Sequence, residues 1–332
     1  MIPVAVIGAG AFGRNHARVY QQLAKQDENV RLAAVVDSDL ARAEAVAREF
    51  NCHAVGSVEE LLAEHGDLKA ASVAVPTVHH LAVSRALMEA GIDVLIEKPL
   101  ASSLAEADEL IALARRHHRI AQAGHLERFN PAVQATLPLI TQPMFFEIHR
   151  LSVFTPRSLD IDVVLDLMIH DLDVVLSFVR SPVTEIRAVG LPILSPKVDI
   201  ANVRLEFASG CVANLTASRV STERVRKLRF FQPQQYISLD YGRQDILVFS
   251  VGETEASATP SVNPQIKVFR PAVLSEEPLY AELKSFLQAV RARSQPLVPL
   301  DQGRQALAVA LDVIAAIGKH TKKAKLEQMQ GA

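Results

Sequence analysis

The feature that constrains the fold most is an apolar run that ends in three closely spaced glycines. Residues 4–7 read Val-Ala-Val-Ile, and three glycines follow in the spacing G-x-G-x-x-G before a helical pattern that begins near Arg14. This order predicts a buried strand, a tight turn, and a helix whose free N–H groups face an anion such as a pyrophosphate. The candidate cofactor-binding residues of this turn are Gly8, Gly10, Ala11, Phe12 and Gly13.

A second predicted strand ends in a carboxylate. Residues 30–36 read Val-Arg-Leu-Ala-Ala-Val-Val and are followed by Asp37. In dinucleotide-binding folds, a carboxylate at the end of this strand accepts hydrogen bonds from the ribose hydroxyls. Because Asp37 would also repel a 2′-phosphate, the pattern predicts NAD rather than NADP. The alternative is a glycine turn in a protein that binds no nucleotide.

The length of the chain and its charge limit the functions that it can have. A chain of 332 residues is typical of two domains, and we expect the first to cover residues 1–123 and the second residues 124–332. The net charge of −2 argues against a nucleic-acid or membrane-surface partner. The two cysteines, Cys52 and Cys211, cannot form a disulfide framework or a cysteine-rich zinc site, which fits a reducing cytoplasm. No apolar run approaches the roughly 18 residues that a membrane span needs.

The order of the predicted elements indicates the fold class, α/β. Apolar strands and helices alternate over residues 1–123, which predicts right-handed crossovers and a doubly wound parallel Rossmann sheet. From about Met144 the pattern changes to period two, which predicts an α+β domain with a large, mostly antiparallel open sheet. The predicted strands are 145–151, 198–207, 211–217, 227–231, 236–241 and 246–251, with helices over 163–179, 279–293 and 302–320. Residues 252–263 are rich in Ser, Thr and Glu and predict a mobile loop.

The few helices of the second domain can cover only one face of its sheet. The other face is then expected to bind another copy of the chain, because a large uncovered sheet face commonly forms an interface. We therefore expect a homo-oligomer, a dimer or a tetramer, that assembles through the C-terminal sheet.

Ligands of doubly wound sheets bind beyond the carboxyl ends of the strands. The polar residues that follow the fourth, fifth and sixth predicted strands are Pro76, Thr77 and His80, then Glu97 and Lys98, then His125, Arg128 and Asn130. Pro99 disfavours the helical region for the residue before it, so Lys98 is expected to stay extended at the tip of its strand. Its ammonium group could then donate a hydrogen bond to a substrate oxygen, or share its proton if burial lowers its pKa. The alternative is a surface lysine paired with Glu97.

The predicted helix over residues 163–179 carries a polar stripe on an otherwise apolar surface. Asp166, His170 and Asp173 lie at i, i+4 and i+7, which places them on one face. A carboxylate beside an imidazole orients it as a general base and favours its protonated form. Two alternatives remain: His170 is an inert, hydrogen-bonded core residue, or it binds a metal together with Asp166 and His125. The second is disfavoured because the usual zinc-ligand spacing is absent.

Together these motifs resemble the signatures of the Gfo/Idh/MocA oxidoreductases. The motifs are Gly8-x-Gly-x-x-Gly13 with His16, Pro76-Thr-Val-His-His80, Glu97-Lys98-Pro99 and Asp166-x-x-x-His170. The resemblance implies a nicotinamide enzyme that oxidises a sugar hydroxyl. We expect no metal site. Glu97 and Lys98 would flank the nicotinamide, and Asp166 and His170 would reach the substrate from the second domain. His170 would take the hydroxyl proton while Lys98 stabilises the alkoxide, or the two roles are exchanged.

Residues 124–131 and 156–160 resemble a narrower group within that family. They are most similar to bacterial members that oxidise the 3-hydroxyl of UDP-N-acetylglucosamine, whose keto product is aminated for lipid A synthesis. This resemblance implies a small nucleotide-sugar substrate that contains a pyrophosphate. A guanidinium group can bind two phosphate oxygens at once. The candidate clamps are Arg14, Arg128, Arg150 and Arg157, and a solvated surface arginine is the alternative for each. The implied substrate-binding residues are Lys98, His125, Arg128, Asn130, Arg157, Asp166 and His170.

Two other functions fit the same motifs. One is an NAD-dependent dehydrogenase of a free polyol or sugar such as an inositol, which would need no phosphate clamp. The other is a catalytically silent, NAD-sensing regulatory protein that keeps the fold. The presence of both Lys98 and His170 argues against the silent protein.

Overall fold

The structure is a computed structural model that describes residues 1–26, 28–155, 161–252 and 265–324. The strands in these ranges are β1 (Ile2–Ile7), β2 (Val30–Val36), β3 (His53–Val55), β4 (Ala70–Val73), β5 (Asp93–Glu97), β6 (Ala121–Gly124), β7 (Phe145–Val153), β8 (Val183–Leu191), β9 (Ile200–Phe207), β10 (Val212–Ser221), β11 (Val225–Gln232), β12 (Gln235–Asp240), β13 (Asp245–Gly252) and β14 (Gln265–Phe269). The α-helices are α1 (Ala11–Lys25), α2 (Leu40–Phe50), α3 (Val58–Glu64), α4 (His80–Glu89), α5 (Leu104–Arg116), α6 (Pro131–Thr136), α7 (Ile169–Val179), α8 (Pro278–Ala292) and α9 (Leu300–Lys323).

The chain divides into two compact units, each built from two segments. The first unit comprises Met1–Phe129 and Glu277–Leu307, and the second comprises Asn130–Glu276 and Ala308–Ala332. The sequence predicts a boundary after residue 123 and two domains that are each continuous in the chain. That functional division stays a prediction.

The first unit contains the predicted parallel sheet. Its six strands follow the order β3-β2-β1-β4-β5-β6, and every neighbouring pair is parallel. The order reverses between β1 and β4, which is where a doubly wound sheet binds its ligand. The Rossmann prediction is therefore confirmed.

The core of the first unit includes a helix that lies far away in the sequence. The apolar stripe of α1, with Tyr20 and Leu23, packs in one cluster with Leu283 and Phe286 of α8. All four side chains are fully buried. Burial of these apolar side chains stabilises the packing of α8 on the first unit. Along the chain, α8 begins more than 150 residues after the last strand of that unit's sheet.

The second unit contains the predicted, mostly antiparallel sheet. Its eight strands follow the order β14-β13-β12-β11-β7-β10-β9-β8, and the pair β7 and β10 is the one parallel pair among those described. The rings of Phe146, Phe178 and Phe230 pack together on its covered face. The sequence did not predict the two end strands, β8 and β14, whose described side chains are half-exposed or exposed.

Three local predictions differ from the structure or fall outside it. Helix α1 begins at Ala11 rather than near Arg14, so Gly13 lies inside the helix. The helix expected over 163–179 is a π-helical turn, Val164–Met168, followed by α7. The loop expected over 252–263 lies outside the described residues except for Gly252.

Among the helices that the structure describes, none combines the length and the apolar character that a membrane span requires.

Candidate functional site

The three glycines each have a separate structural reason. Gly8 has a φ of +101°, and a Cβ on it would lie 2.5 Å from the carbonyl oxygen of Ala74. A Cβ on Gly13 would lie 1.7 Å from the carbonyl oxygen of Gly8, so the helix could not pack this closely on the strand. A Cβ on Gly10 would meet no described atom within 4 Å. The open space at Gly10, in front of the N-terminus of α1, fits a dinucleotide pyrophosphate.

Asp37 lies next to this glycine turn, as predicted for a residue that binds the ribose. Its carboxylate accepts hydrogen bonds from the N–H of Ala9 at 2.8 Å and from the N–H of Asp39 at 2.9 Å. The guanidinium of Arg42 lies 3.5 Å from the carboxylate and 3.1 Å from that of Asp39. The site therefore fits NAD, and it also holds the kind of cation that a 2′-phosphate would need.

Replacing Asp37 by Ser should reduce the preference for NAD. The variant loses the hydrogen bonds of a charged acceptor to the ribose, which are worth about 1.5–3 kcal/mol. The KM for NAD should therefore rise about 10- to 100-fold, while the KM for NADP should fall because Arg42 is no longer neutralised by Asp37. Steady-state kinetics with both cofactors measures the change. Asp39→Asn is the matched control, because it removes the second carboxylate beside Arg42 but leaves Asp37 in place. An unchanged cofactor preference in Asp37→Ser would show that Asp37 does not bind the cofactor.

His80 connects the segments that follow β4 and β5. Its ring is 1% exposed, with Nε2 3.0 Å from the carbonyl oxygen of Val75 and Nδ1 3.2 Å from that of Leu100. Burial lowers the pKa of His80, although both carbonyl oxygens oppose this effect. Its predicted neighbours Pro76 and Thr77 are exposed and half-exposed at the edge of the same sheet.

Glu97 and Lys98 follow at the carboxyl end of β5. The Glu97 carboxylate is buried; one oxygen lies 3.0 Å from Nε2 of His16, and the other accepts a hydrogen bond from the Lys98 N–H at 3.3 Å. Lys98 is half-buried, and its peptide bond to Pro99 is cis. The first unit thus brings together the glycine turn and the polar residues after β2, β4 and β5.

The residues after β6 are divided between the two units. His125 and Arg128 are buried in the first unit, and Arg128 donates a hydrogen bond to Gln302 at 3.0 Å. Asn130 belongs to the second unit, where it caps α6 by accepting from the Ala132 N–H at 3.1 Å and donates to the carbonyl oxygen of Tyr241 at 3.0 Å.

The four arginines considered for a pyrophosphate have different surroundings. Arg14 forms an exposed ion pair with Glu49. Arg150 is 2% exposed and donates two hydrogen bonds to Asp171, at 2.7 and 2.8 Å. This buried pair links β7 to α7, which is a structural role, and it makes Arg150 unsuitable as a phosphate clamp. Arg157 lies outside the described residues.

Asp166 and His170 lie on and directly after the π-helical turn of the second unit. Asp166 is in the turn, His170 is the second residue of α7, and both are half-buried, whereas Asp173 is buried. A π-helical turn is uncommon and is found frequently at functional sites. The Arg150–Asp171 pair fixes the residue next to His170 and thereby the first turn of α7.

A buried ion pair fixes the chain just before the π-helical turn. Arg219 donates to Asp199 at 2.9 Å and to the carbonyl oxygen of Val198 at 3.0 Å, and Asp162 accepts from the Val198 N–H at 3.0 Å. Burial alone would raise the pKa of Asp199, but hydrogen bonds from the N–H groups of residues 193–195 and the Ser195 hydroxyl outweigh it and lower the pKa to about 2. The carboxylate therefore stays charged at neutral pH and holds this anchor in place.

No metal centre is found in the described part of the chain. There, no group of three or more His, Cys, Asp or Glu side chains is arranged to hold a metal ion. The reading of His170 as a metal ligand together with Asp166 and His125 therefore gains no support.

The sequence motifs include His16 without a predicted role, although its position on the buried stripe of α1 is visible in the sequence. Gly13, His16, Ala17, Tyr20 and Leu23 lie on the buried face of α1, at the spacing of an amphipathic stripe. A histidine on such a stripe needs a buried partner, and Glu97 is that partner. The partner could not be identified from the sequence, because 81 residues separate the two side chains.

Comparisons with known proteins agree with this geometry. Residues 2–125 match the profile of an oxidoreductase family with an NAD-binding Rossmann fold, and residues 145–234 match a GFO/IDH/MocA C-terminal domain. The chain is 38% identical over 313 residues to the UDP-N-acetylglucosamine 3-dehydrogenase of Acidithiobacillus ferrooxidans, covering 94% of this chain and 96% of that protein. It is 30% identical over 226 residues to inositol 2-dehydrogenase 1 of Paenarthrobacter aurescens, covering 64% of this chain and 65% of that protein.

Solved structures show the same architecture. The structure of the Acidithiobacillus ferrooxidans enzyme matches with a TM-score of 0.85 at 36% identity, over 95% of this chain and 97% of the other. A levoglucosan dehydrogenase in complex with NADH matches with a TM-score of 0.84 at 16% identity, over 96% and 97% of the two chains. At that identity the second match concerns the fold alone.

Proposed function

Because this chain belongs to the Gfo/Idh/MocA family of NAD-binding oxidoreductases, we propose that it oxidises the 3-hydroxyl of UDP-N-acetylglucosamine to the 3-keto sugar with NAD. The observation that carries this proposal is the 38% identity over 94% of the chain to an enzyme of that activity. The glycine turn and Asp37 support the choice of cofactor.

The residues of the first unit hold the cofactor in this proposal. The N–H groups at the start of α1 bind the pyrophosphate, Asp37 binds the ribose, and Pro76, Thr77, His80, Glu97 and Lys98 line the nicotinamide end. The bound nicotinamide supplies the hydride acceptor. Glu97 and His80 act there mainly through the backbone that they hold, since their polar side-chain atoms contact His16 and backbone groups.

Oxidation of a secondary alcohol requires that the hydroxyl proton leaves as the hydride is lost. His170 accepts that proton, and the half-buried ammonium of Lys98 donates a hydrogen bond to the oxygen as negative charge develops on it. Asp166 orients the imidazole. His125, Arg128, Asn130 and Arg157 bind the remainder of the nucleotide sugar. In this scheme a guanidinium of Arg128 or Arg157 binds the pyrophosphate.

Absorbance at the reduced-nicotinamide band tests the proposal. The purified protein is mixed with NAD and, separately, with UDP-N-acetylglucosamine, other UDP-sugars, free N-acetylglucosamine and myo-inositol. Reduction of NAD with UDP-N-acetylglucosamine at a kcat/KM at least tenfold above the free sugars supports the proposal. Faster reduction with myo-inositol would instead favour the activity of the inositol 2-dehydrogenases that the chain also resembles. No reduction with any member of the panel would favour the NAD-sensing regulatory protein.

A row of aromatic side chains crosses the face of the second unit's sheet opposite its buried phenylalanines. Phe145, Phe231, Tyr236 and Phe249 are paired across four strands, and their neighbouring ring centroids lie 5.8, 4.9 and 5.3 Å apart. Phe231 is 38% exposed. A partly exposed apolar row of this kind is a favourable contact surface for another protein chain.

The occupant of this face in our proposal is a second copy of the chain. Glu147 and Arg229 are paired one row further along, 3.9 Å apart, so a twofold-related copy would oppose charges of both signs and could match them. Sedimentation velocity should give the mass of a dimer or tetramer. Phe231→Glu should shift the protein towards the monomer, and a monomeric wild-type protein at micromolar concentration would contradict the proposal.

The proposal also covers the use of the product in the cell. A 3-keto nucleotide sugar is a substrate for amination, so in this proposal the product is passed to an aminotransferase for lipid A synthesis in the cytoplasm. Free Cys52 and Cys211 are compatible with that compartment.

A further inference from the structure

The carboxylate of Glu97 is held by a buried histidine that the proposed reaction does not use. His16 is 0% exposed, and its Nε2 lies 3.0 Å from Oε1 of Glu97, which is 7% exposed. A carboxylate can only accept a hydrogen bond, so the imidazole is the donor. Removing the donor would leave the buried carboxylate without this hydrogen bond, which is unfavourable unless the side chain moves.

The same carboxylate also holds the backbone of Lys98. Its second oxygen accepts from the Lys98 N–H at 3.3 Å. Gly124 lies directly across the sheet from Glu97, and a Cβ on Gly124 would come within 2.9 Å of Oε1 of Glu97. The carboxylate therefore fills the space above Gly124 and spans the distance from α1 to the start of the lysine segment.

The far side of this segment is held as well. The carbonyl oxygen of Leu100, two residues after Lys98, lies 3.2 Å from Nδ1 of the buried His80. Lys98 is thus the half-buried residue of a segment whose flanking residues, Glu97 and Leu100, both contact buried imidazoles. Because both ends of the segment are held in this way, a shift of Glu97 would move the backbone from which the Lys98 side chain extends.

We infer that His16 is a positioning residue for Lys98, acting through the Glu97 carboxylate; this inference rests on the proposed function, in which Lys98 contacts the reacting oxygen. His16 does not touch the substrate. Its hydrogen bond keeps Glu97 above Gly124, which in turn keeps the Lys98 N–H and the start of its side chain in place. A displacement of about 1 Å at a reacting group can cost about 100-fold in rate, so the effect falls on kcat.

Two variants of His16 and one control test the inference. His16→Leu keeps the apolar volume and removes the donor, while His16→Gln keeps a donor close to the position of Nε2. His65 is another buried histidine of the first unit, 8% exposed, and His65→Leu reports the cost of losing a buried imidazole elsewhere. For each variant, kcat and KM for the sugar, the Kd of NADH and the thermal midpoint are measured on the full-length protein.

His16→Leu should lower kcat about 30- to 100-fold, with KM and the Kd of NADH within about twofold of the wild type. His16→Gln should recover most of that loss, and His65→Leu should keep the wild-type kcat. Less than a threefold loss in His16→Leu, or an equal loss in the Leu and Gln variants, would overturn the inference.

Crystal structures of the wild type and of His16→Leu test the inference without any substrate. The inference predicts that the Glu97 carboxylate shifts by more than about 1 Å and loses its contact with the Lys98 N–H. A carboxylate that stays in place overturns it, whatever the activity. If the wild type oxidises no sugar hydroxyl, the proposed function fails, and the displacement of Glu97 alone then decides whether His16 holds this segment.

Discussion

Replacing Lys98 by Met should lower kcat about 100- to 1,000-fold, with a much smaller effect on NAD binding. Methionine has nearly the same length, but it cannot donate a hydrogen bond to the oxygen on which charge develops, and the loss of one such donor has this magnitude in other enzymes. Stopped-flow measurement of nicotinamide reduction gives the rate of the chemical step, and fluorescence titration with NADH gives the cofactor affinity. The effect should be on kcat rather than on KM, because the hydrogen bond strengthens only as the alkoxide forms.

Lys98→Arg is the informative companion. It keeps the positive charge but replaces a compact ammonium group by a wide planar guanidinium, so partial activity is expected. Full activity in the Met variant would show that Lys98 does not contact the reacting oxygen. Lys98 would then be the surface lysine that the sequence also allowed.

Replacing His170 by Ala should lower kcat about 100- to 10,000-fold, the range for loss of a general base. The imidazole lies in the first turn of α7, directly after the π-helical turn that contains Asp166. The measurement is again the rate of nicotinamide reduction at saturating sugar and NAD. His320→Ala, in the part of α9 that belongs to the same unit, is the control and should retain the wild-type rate.

Chemical rescue separates the two roles that the sequence left open. If His170 is the base, added imidazole should restore part of the activity of His170→Ala, because it can take the same proton from solution. It should restore none in Lys98→Met. Rescue of the lysine variant alone would exchange the roles, and unchanged turnover in His170→Ala would remove His170 from the mechanism.

The sequence was most informative where a local rule determines the structure. The glycine spacing, the carboxylate of Asp37 and the alternation of strands and helices predicted the parallel sheet and the edge of it that holds the candidate cofactor site. These features depend on backbone sterics and short-range periodicity, which a single sequence displays. Even there one boundary was wrong: the helix begins before Gly13, and the contact that requires this glycine is with the carbonyl of Gly8.

The sequence was least informative where contacts between residues far apart in the chain determine the structure. The pairs His16–Glu97, Arg150–Asp171 and Arg219–Asp199 join residues 81, 21 and 20 positions apart, and no periodic pattern identifies such partners. The π-helical turn at Val164–Met168 could not be read from apolar spacing, which fits an α-helix equally well. The sequence alone allows Arg150 as a phosphate clamp, because its buried carboxylate partner Asp171 is identified only from the fold.

Deuterium transfer is the most direct test of the central claim, that a hydride leaves C3 of the sugar for the nicotinamide. UDP-N-acetylglucosamine with deuterium at C3 is incubated with the protein and NAD, and the reduced cofactor is examined by mass spectrometry. The account predicts one deuterium in the reduced cofactor and slower turnover than with the unlabelled sugar. Reduced cofactor without deuterium, at an unchanged rate, would show that the hydride comes from another carbon and would contradict the account.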